Sequence, residues 1–234
     1  MVKTFLILAI CNIFLYSNEQ IILVISDDYN DNKATLSCFE NGKKVFKDIE
    51  VNLGKNGLGV GLGEISLKIE ENKPLKYEGD KKAPLGVFKL THVFGYNKLD
   101  NLNMPYLHVD KETICVDDSE HKNYNQIIQM PKEKPKSFEY MKRDDHQYEL
   151  GIVVAHNKQQ VKQRGSCIFL HVEKFNGAST AGCTSMKLQD IKKIVKWLDK
   201  SKNPILIQIT KTNTEEVKKL YPELILDSIF SSKL

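Results

Sequence analysis

Two residues of this chain, His171 and Cys183, have the types and the spacing for nucleophilic chemistry at a carbonyl. His171 closes the apolar run Gly165-Ser166-Cys167-Ile168-Phe169-Leu170-His171-Val172. Cys183 follows the small-residue turn Ser179-Thr180-Ala181-Gly182. A thiol attacks as the thiolate, and an imidazole within reach takes its proton. Gly182 permits close backbone approach, so the N–H groups of Gly182 and Cys183 are candidates to face an oxyanion. The residues after Cys183 read as the approach to a helix, whose positive end would favour the thiolate further. A blander reading also fits: a satisfied core histidine and a buried cysteine acting as a small hydrophobe. Spacing alone does not separate the two, because a cysteine with a histidine elsewhere is a common accident.

The elements that must hold such a pair are mostly short strands. Residues 21–25 (IILVI) read as a buried strand. Ala34–Glu40 and Lys44–Asp48 flank Asn41-Gly42, a dipeptide suited to a tight hairpin. Five of the chain's 13 glycines fall between Gly54 and Gly63. No Gly-Lys-Ser/Thr follows them, so a backbone-approach loop is expected there and not a phosphate cradle. Further β-type runs are Glu64–Ile69, Gly86–Val93, Tyr106–Val109, Leu150–Ala155 and Cys167–Val172. Residues 131–147 read as a polar surface excursion with a short helix. Leu188–Leu198 is the clear amphipathic helix, with Leu188, Ile191, Ile194, Val195 and Leu198 on one stripe. Pro204–Ile209 reads as a strand, and Thr212-x-x-Glu215 as a capping box for a C-terminal helix that Pro222 interrupts.

Bulk properties bound the rest. Among 234 residues, 41% are hydrophobic and 27% charged, which suits one domain with a real core. The net charge of +4 is too small and too evenly spread to point to nucleic acid. Lys3 precedes the apolar run Thr4–Tyr16, and Ser17 opens a polar stretch. This reads as a secretory signal peptide over residues 1–17, and so as an exported, periplasmic or cell-envelope protein. The membrane enters only through that segment during export. The body of the domain is expected over 18–211, with a helical extension over 212–234. Four cysteines remain after such a leader: Cys38, Cys115, Cys167 and Cys183. They could form two disulfides, but a chain of this size does not need staples, so Cys115 and Cys167 are read as core residues.

Around the His–Cys pair the chain resembles the L,D-transpeptidase catalytic-domain (YkuD-like) family. Thr180-Ala181-Gly182-Cys183 is similar to the family's Ser/Thr–X–Gly–Cys, and His171 stands where its histidine does. Upstream, the Pro-x-Gly-x-Phe segment in Gly79-Asp80-Lys81-Lys82-Ala83-Pro84-Leu85-Gly86-Val87-Phe88 also matches. The resemblance runs from about Gly79 to Ile209. It implies a β-rich α+β fold, a mostly antiparallel β-sandwich or barrel-like domain with a few helices. It also implies a cysteine enzyme that acts on peptidoglycan tetrapeptide stems without a cofactor or metal. Cys183 would attack, His171 would act as base, and D-alanine would leave; another stem's amine or water would then resolve the acyl-enzyme. An L,D-carboxypeptidase, a non-catalytic wall-binding module and a peptidase acting on ordinary proteins are the competing readings.

The chain departs from many members on the acceptor side. Ala181 stands where a histidine is common, Ser185 where an arginine is, and Val172 where a glycine follows the histidine. Thr180, Ser185, Asp118 and Arg164 are the candidate substrate-binding residues, with Arg164 or Lys187 able to supply the missing positive charge. Asp117 and Asp118 fit either a stem-peptide amine or an Asx turn. The segments Cys115–Asp118, Tyr124-Asn125 and Gly165–Cys167 are expected to flank the site. His92, His108, His121, His146 and His156 are read as structural or solvated. A zinc site from His171, Cys183 and Cys167 lacks close-spaced ligand pairs and is not expected.

Overall fold

Gln20–Ser26 is buried along its whole length, as a strand covered on both faces and both edges must be. Two neighbours cover those edges, one adjacent in sequence and one from the far end of the chain. In the computed structural model, which describes residues 19–174 and 177–224, fourteen strands and two α-helices alternate with irregular segments. The strands are β1 (Gln20–Ser26), β2 (Lys33–Glu40), β3 (Lys43–Lys44), β4 (Ile49–Asn52), β5 (Leu58–Val60), β6 (Ala83–Gly95) and β7 (Tyr106–His108). They continue with β8 (Thr113–Cys115), β9 (Ile127–Gln129), β10 (Glu139–Tyr140), β11 (Leu150–Val154), β12 (Phe169–Val172), β13 (Thr184–Met186) and β14 (Ile205–Thr210). The helices are α1 (Leu188–Trp197) and α2 (Thr214–Leu220). The expected signal segment lies outside the described residues.

The main sheet runs β1-β14-β6-β11-β12-β13-β4-β2, and β2 pairs back onto β1, so eight strands close into a barrel. Around this ring pairing is antiparallel except for β1 with β14 and β12 with β13, while β5 and β7 pair parallel with β6 off the ring. The β-rich, barrel-like class expected from sequence is therefore the fold found. Closure leaves no open edge along this ring. Three further strands, in the order β10-β8-β9, form a small second sheet.

Strand β12 separates two clusters. Leu170 and Val172 belong to the main core, as do Ile191, Ile194, Val195 and Leu198 from the α1 stripe. Phe169 belongs to a second cluster with Phe94, Tyr148, Met141 and Cys183. Alternation along the strand gives His171 the same side as Phe169. Val217, Tyr221 and Leu224 also join the main core, so α2 and the residues after it pack on the barrel.

Several local expectations are corrected. Glu64–Ile69 is not a strand; only Ile65 makes an isolated bridge, to Val87. Residues 131–147 hold no helix, because Glu139 and Tyr140 pair with Cys115 and Ile114 instead. The capping box near the C-terminus is Thr210 with Asn213, opening a short 3₁₀ turn before α2. The stretch after Cys183 is strand β13, and α1 starts only at Leu188. The helix dipole therefore does not act directly on Cys183, since its effect fades within the first turn. The Asn41-Gly42 hairpin is present, with φ of 50° and 72°.

Candidate active site

Cys183 sits at the mouth of β13, beside the strand that carries His171. Leu170 pairs with Thr184 and His171 with Ser185, which places Cys183 opposite the Phe169 end of β12. Both candidates are nearly covered, with 7% exposure for Cys183 and 3% for His171. Tyr148 lies with both: its ring meets the His171 ring edge-on at 5.2 Å, and it shares a buried cluster with Cys183. Packing therefore brings the two predicted residues to one face of adjacent strands.

The hydrogen bonds of the pair are specific. His171 Nδ1–H donates to its neighbour's carbonyl, Val172 O, at 2.8 Å. That bond fixes the neutral tautomer with the lone pair on Nε2, and no hydrogen bond engages Nε2 among the described residues. The contact uses only the backbone of Val172, so it does not depend on which side chain stands there. The thiol is bonded elsewhere in this state: Cys183 Sγ donates to Cys167 O at 3.4 Å, and Phe169 N–H donates to the sulfur at 3.4 Å. Burial pushes the thiol up to about 12, and the nearby Glu139 charge adds to the rise. Burial also pushes the imidazole down to about 4, against the pull of the Val172 carbonyl. The resting pair is thus thiol and neutral imidazole.

The turn before Cys183 is built by Thr180. Its hydroxyl donates to Cys183 O at 2.7 Å and accepts from Gly182 N–H at 3.1 Å. Thr180 is therefore a brace of the turn. The Gly182 N–H is already committed to it, which corrects the expectation that both amides face an oxyanion. The Cys183 N–H lies ahead of the ladder that starts at Thr184 and is the remaining donor. Gly182 has φ of 149°, and a Cβ there would stand 3.0 Å from Lys82 O. Only glycine fits without strain.

The remaining candidates take other places. Ser185 is 1% exposed and accepts weakly from Asn52 Nδ2 at 3.4 Å. Asp118 accepts from Glu120 N–H at 3.1 Å, which is the Asx turn, and from Lys136 N–H at 3.1 Å. Arg164 stacks over the Tyr77 ring at 5.5 Å and donates to Lys76 O at 3.0 Å, so it holds a loop in place. Lys187 is exposed, at the start of α1. The expected flanking segments do converge. Cys167 N–H donates to Asn125 Oδ1 at 2.9 Å, and the Ser166 and Tyr124 hydroxyls both donate to Glu78.

Three features escaped the sequence reading. Cys115 and Cys167, read as separate core residues, form a disulfide that pins β8 of the small sheet to the segment leading into β12. Nothing in a separation of 52 residues announces such a pair. Lys76 is 3% exposed and is held by Asp80 at 2.6 Å and Tyr77 O at 2.6 Å. Its Nζ lies 3.7 Å from where a Gly182 Cβ would stand, so the positive charge beside the nucleophile turn comes from here and not from Arg164 or Lys187. Glu139, hidden in the polar stretch, accepts from Tyr148 Oη–H at 2.7 Å. Its carboxylate and the two disulfide sulfurs lie within 4.8 Å of one another, but sulfurs joined in a disulfide offer no thiolate to a metal.

A family model described as the L,D-transpeptidase catalytic domain (YkuD) matches residues 21–207. The chain belongs to that family. No curated protein and no solved structure matches it. Family membership makes the chain a catalytic domain of the L,D-transpeptidase type, from a family of generally cysteine-dependent enzymes that modify peptidoglycan stem peptides. The match spans every strand of the barrel, up to the middle of β14.

Proposed function

We propose that this L,D-transpeptidase-family protein cleaves the tetrapeptide stem of peptidoglycan through an acyl-thioenzyme on Cys183, with His171 as base. One observation carries the assignment. His171 is anchored through Nδ1, packed edge-on to Tyr148 and uncommitted at Nε2, on the strand beside a cysteine of the same buried cluster as Tyr148.

The steps follow from that geometry. Sγ turns from Cys167 O toward the imidazole and gives its proton to Nε2 as it attacks the carbonyl of the third stem residue. The Cys183 N–H holds the developing oxyanion, and the Lys76 ammonium lies on the same side of the turn. Collapse breaks the peptide bond, and the departing D-alanine amine takes the proton from the imidazolium. Because thiol and imidazole are both neutral at rest, proton transfer accompanies attack and does not precede it.

Water is the acceptor favoured here, which makes tripeptide trimming the main outcome. Ser185 is buried against Asn52 and offers no rigid two-point grip on a second stem's carboxylate. Export to the periplasm completes the proposal. The Cys115–Cys167 disulfide suits an oxidising compartment, and the N-terminal segment reads as a leader.

Purified tetrapeptide muropeptides incubated with the protein and weighed by mass spectrometry test the reading. Tripeptide monomers plus free D-alanine are expected, and none with Cys183→Ala. Predominantly 3-3 dimers would overturn trimming, and full activity in Cys183→Ala would overturn the nucleophile.

A further inference from the structure

Lys76 has given up nearly all of its water, at 3% exposure, so each N–H of its ammonium needs an acceptor. Two of the three have one. Nζ donates to Asp80 Oδ1 at 2.6 Å and to Tyr77 O at 2.6 Å, and among the described residues no third acceptor is bonded to it. Asp80 does not answer this charge alone. Its carboxylate also accepts from Tyr77 N–H at 2.7 Å and Lys82 N–H at 2.8 Å.

The ammonium lies in the gap that holds the nucleophile. The Lys76 stem crosses Gly165, where a Cβ would stand 3.2 Å from Cγ and 3.0 Å from Cε. Its Nζ is 3.7 Å from the place of a Cβ on Gly182. The Cys183 sulfur lies between the same two segments, against Cys167 O and Phe169 N–H, both at 3.4 Å. Gly182 adjoins Cys183, and Gly165 stands just before Cys167. At about 3.3 Å per residue, ammonium and sulfur are on the order of 7 Å apart.

That separation fits one amino acid. An attacked carbonyl carbon stands about 3.3 Å from the sulfur. The carboxyl carbon of a single departing residue is three bonds further, at most about 4 Å. Each additional residue would carry the carboxylate about 3.8 Å beyond the ammonium. We propose that Lys76 binds the terminal α-carboxylate of the departing residue, so that the site releases one amino acid from a free C-terminus and does not cut within a longer chain. A compact ammonium suits a lone carboxylate held in a narrow gap. The neighbouring cations are engaged elsewhere: Arg164 stacks on Tyr77 and bonds Lys76 O, and Lys82 Nζ donates to Asn56 O at 2.8 Å.

The assignment rests on Cys183 being the nucleophile, and one test of it needs no cell-wall substrate. Iodoacetate and iodoacetamide differ in little but the carboxylate. Alkylation of the oxidised, full protein by each reagent is followed at pH 8, with peptide mapping to score Cys183 apart from Cys38. The ratio of the two rates cancels changes in thiol acidity and access. In Lys76→Met the iodoacetate-to-iodoacetamide ratio at Cys183 should fall about tenfold, the effect of one charge-assisted contact. Asp80 keeps its two backbone donors in that variant, and Lys76→Gln, which can still donate to Tyr77 O, should show the same fall. An unchanged ratio in both variants would overturn the site.

Turnover supplies the second arm. The parent protein should favour a tetrapeptide stem with a free terminal carboxylate over the same peptide ending in a carboxamide, by about tenfold or more in kcat/KM. Lys76→Met should erase that preference, whereas losses by the same factor on both peptides would mark Lys76 as structural and overturn the assignment. A shifted alkylation ratio without turnover of either peptide would bring down the proposed function and leave the carboxylate site standing.

Discussion

The surroundings of His156 and of His171 differ in a way that burial conceals. Both rings are almost fully covered, and lost hydration pushes both imidazoles down to about 4. At His156 every nitrogen is used: Nδ1 accepts from Leu62 N–H at 3.2 Å, and Nε2–H donates to Arg164 O at 2.8 Å. At His171 one nitrogen is anchored, and the other is left for a reactant. A depressed imidazole is therefore no mark of function by itself. A satisfied histidine staples two loops, and a half-satisfied one next to a thiol is equipped to move a proton.

The sharpest way to break this contrast is to remove each ring. His171→Ala should cut turnover by a factor on the order of 10² or more, with partial recovery at high pH where the thiol ionises unaided. His156→Ala should leave turnover per folded molecule nearly unchanged while lowering the melting temperature, because it strands the Leu62 and Arg164 backbone groups. Equal activity losses in the two variants would erase the distinction.

A second test concerns the clamp that both regions share, the segment running from His156 through Cys167 to His171. Cys115→Ala with Cys167→Ala should cost about 4 kcal/mol by the loop-entropy argument for a bridge of this span. Denaturant unfolding measures it, and unchanged stability would mean that the small sheet is held by its other contacts alone.

Acid should act on both histidines together. Their folded-state values lie below the ordinary 6.5, so the folded protein binds fewer protons than the unfolded chain. The stability tied to them is fully present above pH 6.5 and is lost as pH falls through about 4. Each contributes roughly 3 kcal/mol to that loss, and His156→Asn should remove about half of it. Unfolding curves at pH 7 and pH 4 check the sign. The smallest effect belongs to Val172→Gly. Since only the carbonyl at 172 serves His171, activity should change by less than about threefold.

What sequence made legible follows from which interactions are local. Thr180-Ala181-Gly182-Cys183 builds its own turn, so its covalent spacing carried the geometry, and the α1 stripe predicted a core face because helical period and burial coincide. Thr184–Met186 became a strand only because β12 and β4 flank it, which no window of three residues reveals. Glu139 lies in a stretch that reads as polar surface, and nothing local marks Lys76, whose place beside the Gly182 turn comes from a segment about a hundred residues away.

The closure of the barrel has a kinetic consequence. Ile21 pairs with Ile205 and also with Phe39, so β1 completes its edges only when the strand farthest along the chain arrives. Pairings of such wide sequence separation carry a large loop-closure cost and form late. Hairpins such as β11 with β12 can assemble early, bringing His171 into register before the ring exists. The closing step should therefore set the refolding rate. A chain stopped before residue 205 would keep β1 unpaired on one side, an apolar edge open to other chains.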